Sequence, residues 1–264
     1  MTHPYFAKAR HPRVLAHRGL QTPAGEDSGV WENSAAAFAA AHAAGVEFIE
    51  TDCQVTADGD VVLFHDTTLE RLVGDPRPVR EVRTRELSLL FAEHGGLLTV
   101  QEALYSFPES RFNIDVKTAA AAEPLGPVLA EHSQRVLVTS FSDANRAATV
   151  AATLRAGAVT RPATSGGSRT IARVRALSAL RLSPARALRG IDALQIPERH
   201  GAVRVLTPAL LHAAHRHDVE VHVWTVNDPA DIHRLLEAGV DGIVTDRADT
   251  AIDVIDDRDP PRRP

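Results

Sequence analysis

Glu47-Phe48-Ile49-Glu50-Thr51-Asp52-Cys53-Gln54-Val55-Thr56-Ala57-Asp58-Gly59-Asp60-Val61-Val62-Leu63-Phe64-His65 is the stretch that decides the fold. It opens as a strand, Glu47–Cys53, with Glu50 and Asp52 on one face and Thr51 and Cys53 on the other, because side chains alternate along an extended chain. Between Asp52 and His65 there is room for Gln54-Val55-Thr56, an Asp58-Gly59 turn and a second strand, Val61–Phe64. A parallel crossover needs a dozen or more residues, so this pair is expected to form a hairpin. Asp-Gly is a favoured dipeptide in tight hairpin turns. A turn centred there sets His65 opposite Asp52 and returns the second arm to the mouth of the sheet.

Outward from this hairpin, short β-branched or apolar runs alternate with Ala-, Leu- and Arg-rich stretches along the chain. That alternation marks βα units around a parallel sheet. Eight barrel strands are expected: Val14–His17, Glu47–Cys53, Phe112–Lys117, Val136–Phe141, Ala158–Ala163, Ala193–Pro197, Glu220–Val226 and Gly242–Thr245. Helices lie between most of them. Asn33 or Ser34 caps Ala35–Ala44, Asp143 caps a helix to about Leu154, Thr207-Pro208 opens Ala209–Arg216, and Asp228-Pro229 opens one ending at Ala238-Gly239. Eight strands with seven connections favour a (β/α)8 TIM barrel over an open doubly wound sheet. A hairpin extends it after strand two, and a short Arg-rich insertion, residues 67–98, sits at the barrel mouth. Residues 1–255 are read as one domain and 256–264, ending Pro-Pro-Arg-Arg-Pro, as a disordered tail.

With 29 Lys and Arg against 34 Asp and Glu, the chain lacks the basic excess of a nucleic-acid binder. A phosphate site must therefore supply its own positive charge. The single cysteine, Cys53, permits no intrachain disulfide. Residues 1–13 are polar with no apolar signal region, and no run approaches the roughly 18–20 apolar residues of a membrane span. A cytoplasmic protein is the expectation.

Strand periodicity gathers the chemistry. Asn113, Asp115 and Lys117 share a face in strand three, and strand one ends at His17-Arg18-Gly19. Three carboxylates, two histidines, an arginine and a lysine thus meet at the C-terminal rim, where barrel enzymes place catalysis. Crowded carboxylates raise one another's pKa unless a cation stabilises them. Glu50, Asp52 and Asp115 without a thiol favour a hard divalent ion, Mg2+ or Ca2+, over zinc. His17 and His65 suit either ligation or proton transfer, and Arg18 and Lys117 can hold phosphate oxygens.

The spaced set His17-Arg18-Gly19, Glu32-Asn33-Ser34, Glu50-Thr51-Asp52, His65-Asp66, Asp115-Val116-Lys117, Ser140-Phe141, Trp224-Thr225-Val226-Asn227 and Gly239 to Asp246 resembles the glycerophosphodiester phosphodiesterase family, over nearly the whole chain. The resemblance implies metal ligation by Glu50, Asp52 and Asp115, general acid–base roles for His17 and His65, Arg18 and Lys117 at the phosphate, and Phe141 and Trp224 lining the substrate pocket. It also implies attack by the substrate's own glycerol hydroxyl through a cyclic phosphate. Asp115 departs from the glutamate common in the family, placing the ion closer to strand three or recruiting a water.

The substrate expected is a small phosphodiester, cleaved to sn-glycerol 3-phosphate and an alcohol. Two rivals are a lysophospholipase D acting on lipid, disfavoured by the polar Thr67–Leu98 segment, and a non-catalytic phosphodiester-binding barrel, disfavoured by the complete His and carboxylate set. His212, His215 and His217 are assigned to an outer helix, Ser165-Gly166-Gly167-Ser168 to a simple loop, and Cys53 to the core.

Overall fold

The computed structural model describes residues 3–21 and 23–258. Eight parallel strands appear in the expected order: β1 (Arg13–His17), β2 (Phe48–Val55), β3 (Arg111–Val116), β4 (Val136–Thr139), β5 (Ala163–Thr164), β6 (Ala193–Ile196), β7 (Glu220–Val223) and β8 (Gly242–Thr245). They run side by side as β5-β4-β3-β2-β1-β8-β7-β6. A parallel bridge from Ser165 to Ala193 joins the two ends into a nearly closed barrel. Several helices between strands start at polar caps that accept the free N–H groups of their first turns. Ser34 accepts from Ala37 ahead of Ala35–Ala43, Thr207 from Leu210 ahead of Pro208–His215, and Asp228 from Ala230 and Asp231 ahead of Pro229–Glu237. Ser142, not Asp143, caps Asp143–Arg155.

β5 is shorter and later than expected. Pro162 has no N–H to give a ladder, and Arg161 beside it is drawn to Asp192, at 2.6 and 2.8 Å. The chain therefore joins the sheet only at Ala163. Past β8 a helix, Ala248–Arg258, buries Ala251 and Ile255, so Asp256 to Arg258 are helical and not part of a disordered tail. Residues 259–264 of that expected tail lie outside the described residues.

Two cores follow from the strand alternation. Ile49, Cys53, Ile114, Val116 and Val138 face the helices, while Leu15, Phe48, Leu137, Ala163, Ala193 and Val244 fill the barrel interior. The N-terminal segment, read from sequence only as polar, closes the barrel floor with Tyr5 and Phe6. Burial of each contributes roughly 1.5–3 kcal/mol. Arg13 fastens this plug: its guanidinium donates to the carbonyls of Ala9 and Arg10 at 2.7 Å and pairs with Glu220 at 2.9 Å.

The hairpin forms as an antiparallel pair of β2 with Val61–Leu63, but its register is one residue from expectation. Cys53 faces Leu63, Gln54 faces Val62 and Val55 faces Val61. The Phe64 N–H donates to the Asp52 carbonyl at 3.0 Å, so Phe64 rather than His65 lies opposite Asp52. The cause is the turn. Five residues, Thr56 to Asp60, span it, closed by Thr56 N–H to the Asp60 carbonyl at 3.0 Å. The Thr56 hydroxyl is also bonded to Asp58 at 2.7 Å. An odd loop shifts the pairing by one and reverses which residues share a face.

The insertion carries a ribbon, Thr68–Leu69 with Asp75–Pro78, and a helix, Thr84–Phe91. Leu69, Val79, Val82, Leu87 and Phe91 pack on Val62 and Phe64 of the return arm. The hairpin thus anchors the insertion beside the barrel mouth.

Candidate active site

At the end of β1 the backbone turns sharply, with Arg18 and Gly19 at φ of 60° and 89°. A Cβ on Gly19 would stand 2.8 Å from the Ala37 backbone, which requires glycine. The turn aims the Arg18 N–H at Glu50, 2.9 Å from its carbonyl and 3.2 Å from Oε2. It leaves His17 on the rim. His17 Nδ1 lies 2.6 Å from Asp246 Oδ1, and Asn227 donates to Asp246 Oδ2 at 2.7 Å. His17 Nε2 is 3.9 Å from Glu50. Burial works against a charged ring here, but the Asp246 hydrogen bond and the Glu50 charge outweigh it, and the His17 pKa is raised.

His65 reaches the same site by leaving the strand. Strict alternation past Leu63 would turn it toward the helices. Instead Gln54 Nε2 donates to the carbonyls of His65 and Asp66, at 3.3 and 3.0 Å, and bends the chain toward the cavity. His65 Nδ1 lies 2.7 Å from Asp66 Oδ1. Each histidine therefore has one ring nitrogen fixed by an aspartate, which leaves Nε2 for proton exchange.

Glu50, Asp52 and Asp115 are buried at the cavity floor, with Asp52 and Asp115 register partners across β2 and β3. Lys117 Nζ stands between the last two, 2.7 Å from Asp52 and 2.6 Å from Asp115. Asp52 also has Asn33 Nδ2 and Arg18 Nε at 3.2 Å. Burial alone would raise its pKa, but Lys117, Arg18 and His65 hold it below the ordinary value. For Glu50 the balance is reversed, His17 and Lys117 offsetting too little. Burial and then the Asp52 charge push its pKa up to about 8. Asp115 is raised too, by burial, against the pull of Lys117.

Among the described residues, no three His, Cys, Asp or Glu side chains are drawn together as a preformed metal cage. Two carboxylates close around the Lys117 ammonium instead. The donor set nonetheless suits a hard divalent cation. It consists of three oxygen donors, the buried Asp115 Oδ1 has no hydrogen-bond partner, and the thiol of Cys53 faces the helices. Bound positive charge would favour the ionised forms of Glu50 and Asp115.

All nine side chains singled out in the sequence line one cavity of about 760 Å3. Phe141 and Trp224 form its aromatic wall, edge to face with centroids 6.0 Å apart, and Lys117 Nζ is 5.8 Å from the Phe141 ring. Arg18 and Lys117 are engaged by carboxylates, Arg18 with Glu32 at 2.9 Å. Sequence reasoning missed the residues that hold this arrangement: Gln54, and Arg71 of the insertion, which pairs with both Asp66 and Glu32. Asp246, Asn227, Glu32 and Asp66 stood in the quoted motifs without a role. His215 lies away from the cavity, 2.7 Å from Asp241 beneath β8. Gly166, Gly167 and Ser168, read as a simple loop, do reach the cavity wall. There Asp143 accepts from the Gly167 and Thr170 N–H groups at 3.0 and 3.1 Å, which occupies that helix start.

Residues 17–250 match the model of the glycerophosphoryl diester phosphodiesterase family. A probable glycerophosphodiester phosphodiesterase 2 of Mycobacterium tuberculosis is 37% identical over 249 residues, covering 92% of this chain and 90% of that protein. A glycerophosphodiester phosphodiesterase of Caldanaerobacter subterraneus is 26% identical, covering 92% and 97%. Among solved structures, an Oleispira antarctica phosphodiesterase in complex with the product sn-glycerol-3-phosphate superposes with a TM-score of 0.70 at 18% identity, covering 93% of this chain and 97% of that one.

Proposed function

The chain belongs to the glycerophosphoryl diester phosphodiesterase family, and from that premise we propose that it cleaves glycerophosphodiesters to sn-glycerol 3-phosphate and an alcohol, with His17 and His65 moving the protons. One observation carries this reading. Two histidines, each anchored through Nδ1 by an aspartate, share a cavity with three buried carboxylates, Arg18 and Lys117.

The glycerol hydroxyl next to the phosphate attacks phosphorus. One histidine accepts the hydroxyl proton while the other donates a proton to the departing alcohol oxygen, and the phosphorus–alcohol bond breaks. Water then opens the cyclic phosphate, the two histidines exchanging roles and so returning to their starting protonation states. Asp246 and Asp66 keep the rings in one orientation, so little reorganisation accompanies either transfer. Arg18 and Lys117 supply cationic donors to the non-bridging phosphoryl oxygens. Glu50, Asp52 and Asp115 are the residues that would hold a divalent cation, whose chemistry is to offset the charge building on those oxygens. Lys117 pairs with Asp52 and Asp115, so a cation held by those carboxylates would compete with it and free the ammonium for the phosphate.

No helix among the described residues is long and apolar enough to cross a membrane. A cytoplasmic enzyme whose catalytic unit runs through the helix Ala248–Arg258 completes the proposal. The test is a screen of glycerophosphodiesters for released glycerol 3-phosphate, with and without chelator. Release that chelation abolishes and Mg2+ or Ca2+ restores is the expected result; no release from any diester would refute the reading.

A further inference from the structure

Past the Phe141–Trp224 pair, the cavity continues to a wall that phosphate chemistry does not use. One side is the helix Ser168–Ala179, which presents Ala172 and Ala176, four residues apart on one helical face, with Ile171 beside them. The other is a two-stranded ribbon, Arg199–His200 with Val203–Arg204, which presents Val203. Arg175 Nε donates to the Arg204 carbonyl at 3.1 Å and ties the ribbon to the helix. The wall is therefore a built feature. Phe141 is 64% exposed and Val203 58% exposed, so water covers a row of methyl groups and an aromatic ring leading out of the catalytic mouth.

Isolated exposed apolar side chains are ordinary, but a contiguous row that continues a site marks a binding surface. The glycerol half of a diester needs partners for its hydroxyl groups, and the cavity concentrates polar side chains at the His17 and His65 end. The other end is mostly apolar, with Arg175 and His200 as its polar members, and suits the other half. A volume of about 760 Å3 lies in the range that encloses most of a drug-sized ligand, well beyond what glycerol phosphate fills.

We propose that this wall is the subsite for the alcohol half of the diester and that the alcohol it favours carries an apolar chain. The substrate is then an amphiphilic glycerophosphodiester, taken as single molecules from water. The surface of the insertion favours that source over a membrane: Arg77 pairs with Asp75 and Glu86, and Arg80 with Glu81, so it carries exposed charged groups. The inference rests on the phosphodiesterase reading above.

Its test measures kcat/KM for glycerophosphodiesters whose alcohol is an unbranched alkyl group of increasing length, all below micelle-forming concentration, with glycerophosphocholine as the polar reference. The expected profile rises about two- to fourfold per added methylene until the chain outgrows the wall. Val203→Asp and Ala176→Glu place charge on the wall and flatten that rise. Val159→Asp, at a position 97% exposed elsewhere, leaves the profile as it is. A flat or falling wild-type profile overturns the subsite and leaves the phosphodiesterase standing. A rise that persists in both wall variants also overturns it, because the chain then binds elsewhere, and a preference seen only with vesicles overturns the single-molecule source. If glycerophosphocholine and every alkyl diester go uncleaved, the underlying function fails and this inference with it.

Discussion

Asp246 grips His17 by Nδ1 at 2.6 Å and is itself gripped by Asn227 at 2.7 Å. This contact lifts the His17 pKa, against burial and with help from Glu50. Asp246→Asn keeps the shape and removes the charge. Turnover should fall about ten- to a hundredfold, a portion of the usual acid–base contribution. The limb of the pH–rate profile that follows His17 should also move to lower pH, since the variant ring loses its proton more readily. A full pH–rate profile of both proteins checks this, and an unmoved limb would remove His17 from the titrating step.

Lys117 occupies the space between Asp52 and Asp115. Replacing it with methionine removes the cation between those carboxylates and leaves Asp52 paired with Arg18. Lys117→Met should therefore bind Mg2+ or Ca2+ more tightly than the wild type in calorimetric titration while turning over more slowly. Weaker ion binding in this variant would show that the carboxylates are not the metal site.

Arg71 pairs with Asp66, the partner of His65, and with Glu32, the partner of Arg18. It acts through these residues rather than on substrate. Arg71→Ala should lower kcat about tenfold with unchanged thermal stability, because exposed ion pairs contribute little to folding. Arg71→Lys should restore only part of the loss, since an ammonium does not reproduce a two-sided guanidinium fork. The readout is kcat against KM in the three proteins.

On the barrel floor, burial acts against the Glu220 carboxylate, but His222 and Arg13 hold its pKa below the ordinary value. Its stabilising contribution is thus complete above the unfolded pKa of about 4.3 and is lost as pH falls through the lower folded value. Denaturant unfolding across the acid range should give a shallower loss of stability in Glu220→Gln than in wild type. Arg13→Ala, which leaves that carboxylate only His222 and also removes the bonds to the Ala9 and Arg10 carbonyls, should cost about 3–5 kcal/mol at neutral pH.

The barrel was legible because its strands are short apolar runs whose period-two pattern also sorts Glu50 and Asp52 from Cys53. What local pattern could not show is long-range. Pro162 and the Arg161–Asp192 pair cut β5 short. The Asp58-Gly59 dipeptide pointed to a two-residue turn, yet the Thr56–Asp58 bond builds a five-residue loop and moves the register by one. His65 still reaches the cavity because Gln54 bends the chain after it, a contact with no signature in spacing. Arg71 was hidden for the same reason: its partners lie 5 and 39 positions away in sequence. Tyr5 and Phe6 sit among polar residues and reveal their role only against the barrel floor.

The claim that His17 and His65 carry the protons is tested most directly by one measurement: glycerol 3-phosphate release by His17→Ala, His65→Ala and His215→Ala at saturating divalent ion. The first two should each lose about a hundredfold or more in turnover with circular dichroism unchanged, and His215→Ala should stay near wild type. Near-normal release by either rim variant, or inactivation by His215→Ala alone, would contradict the account.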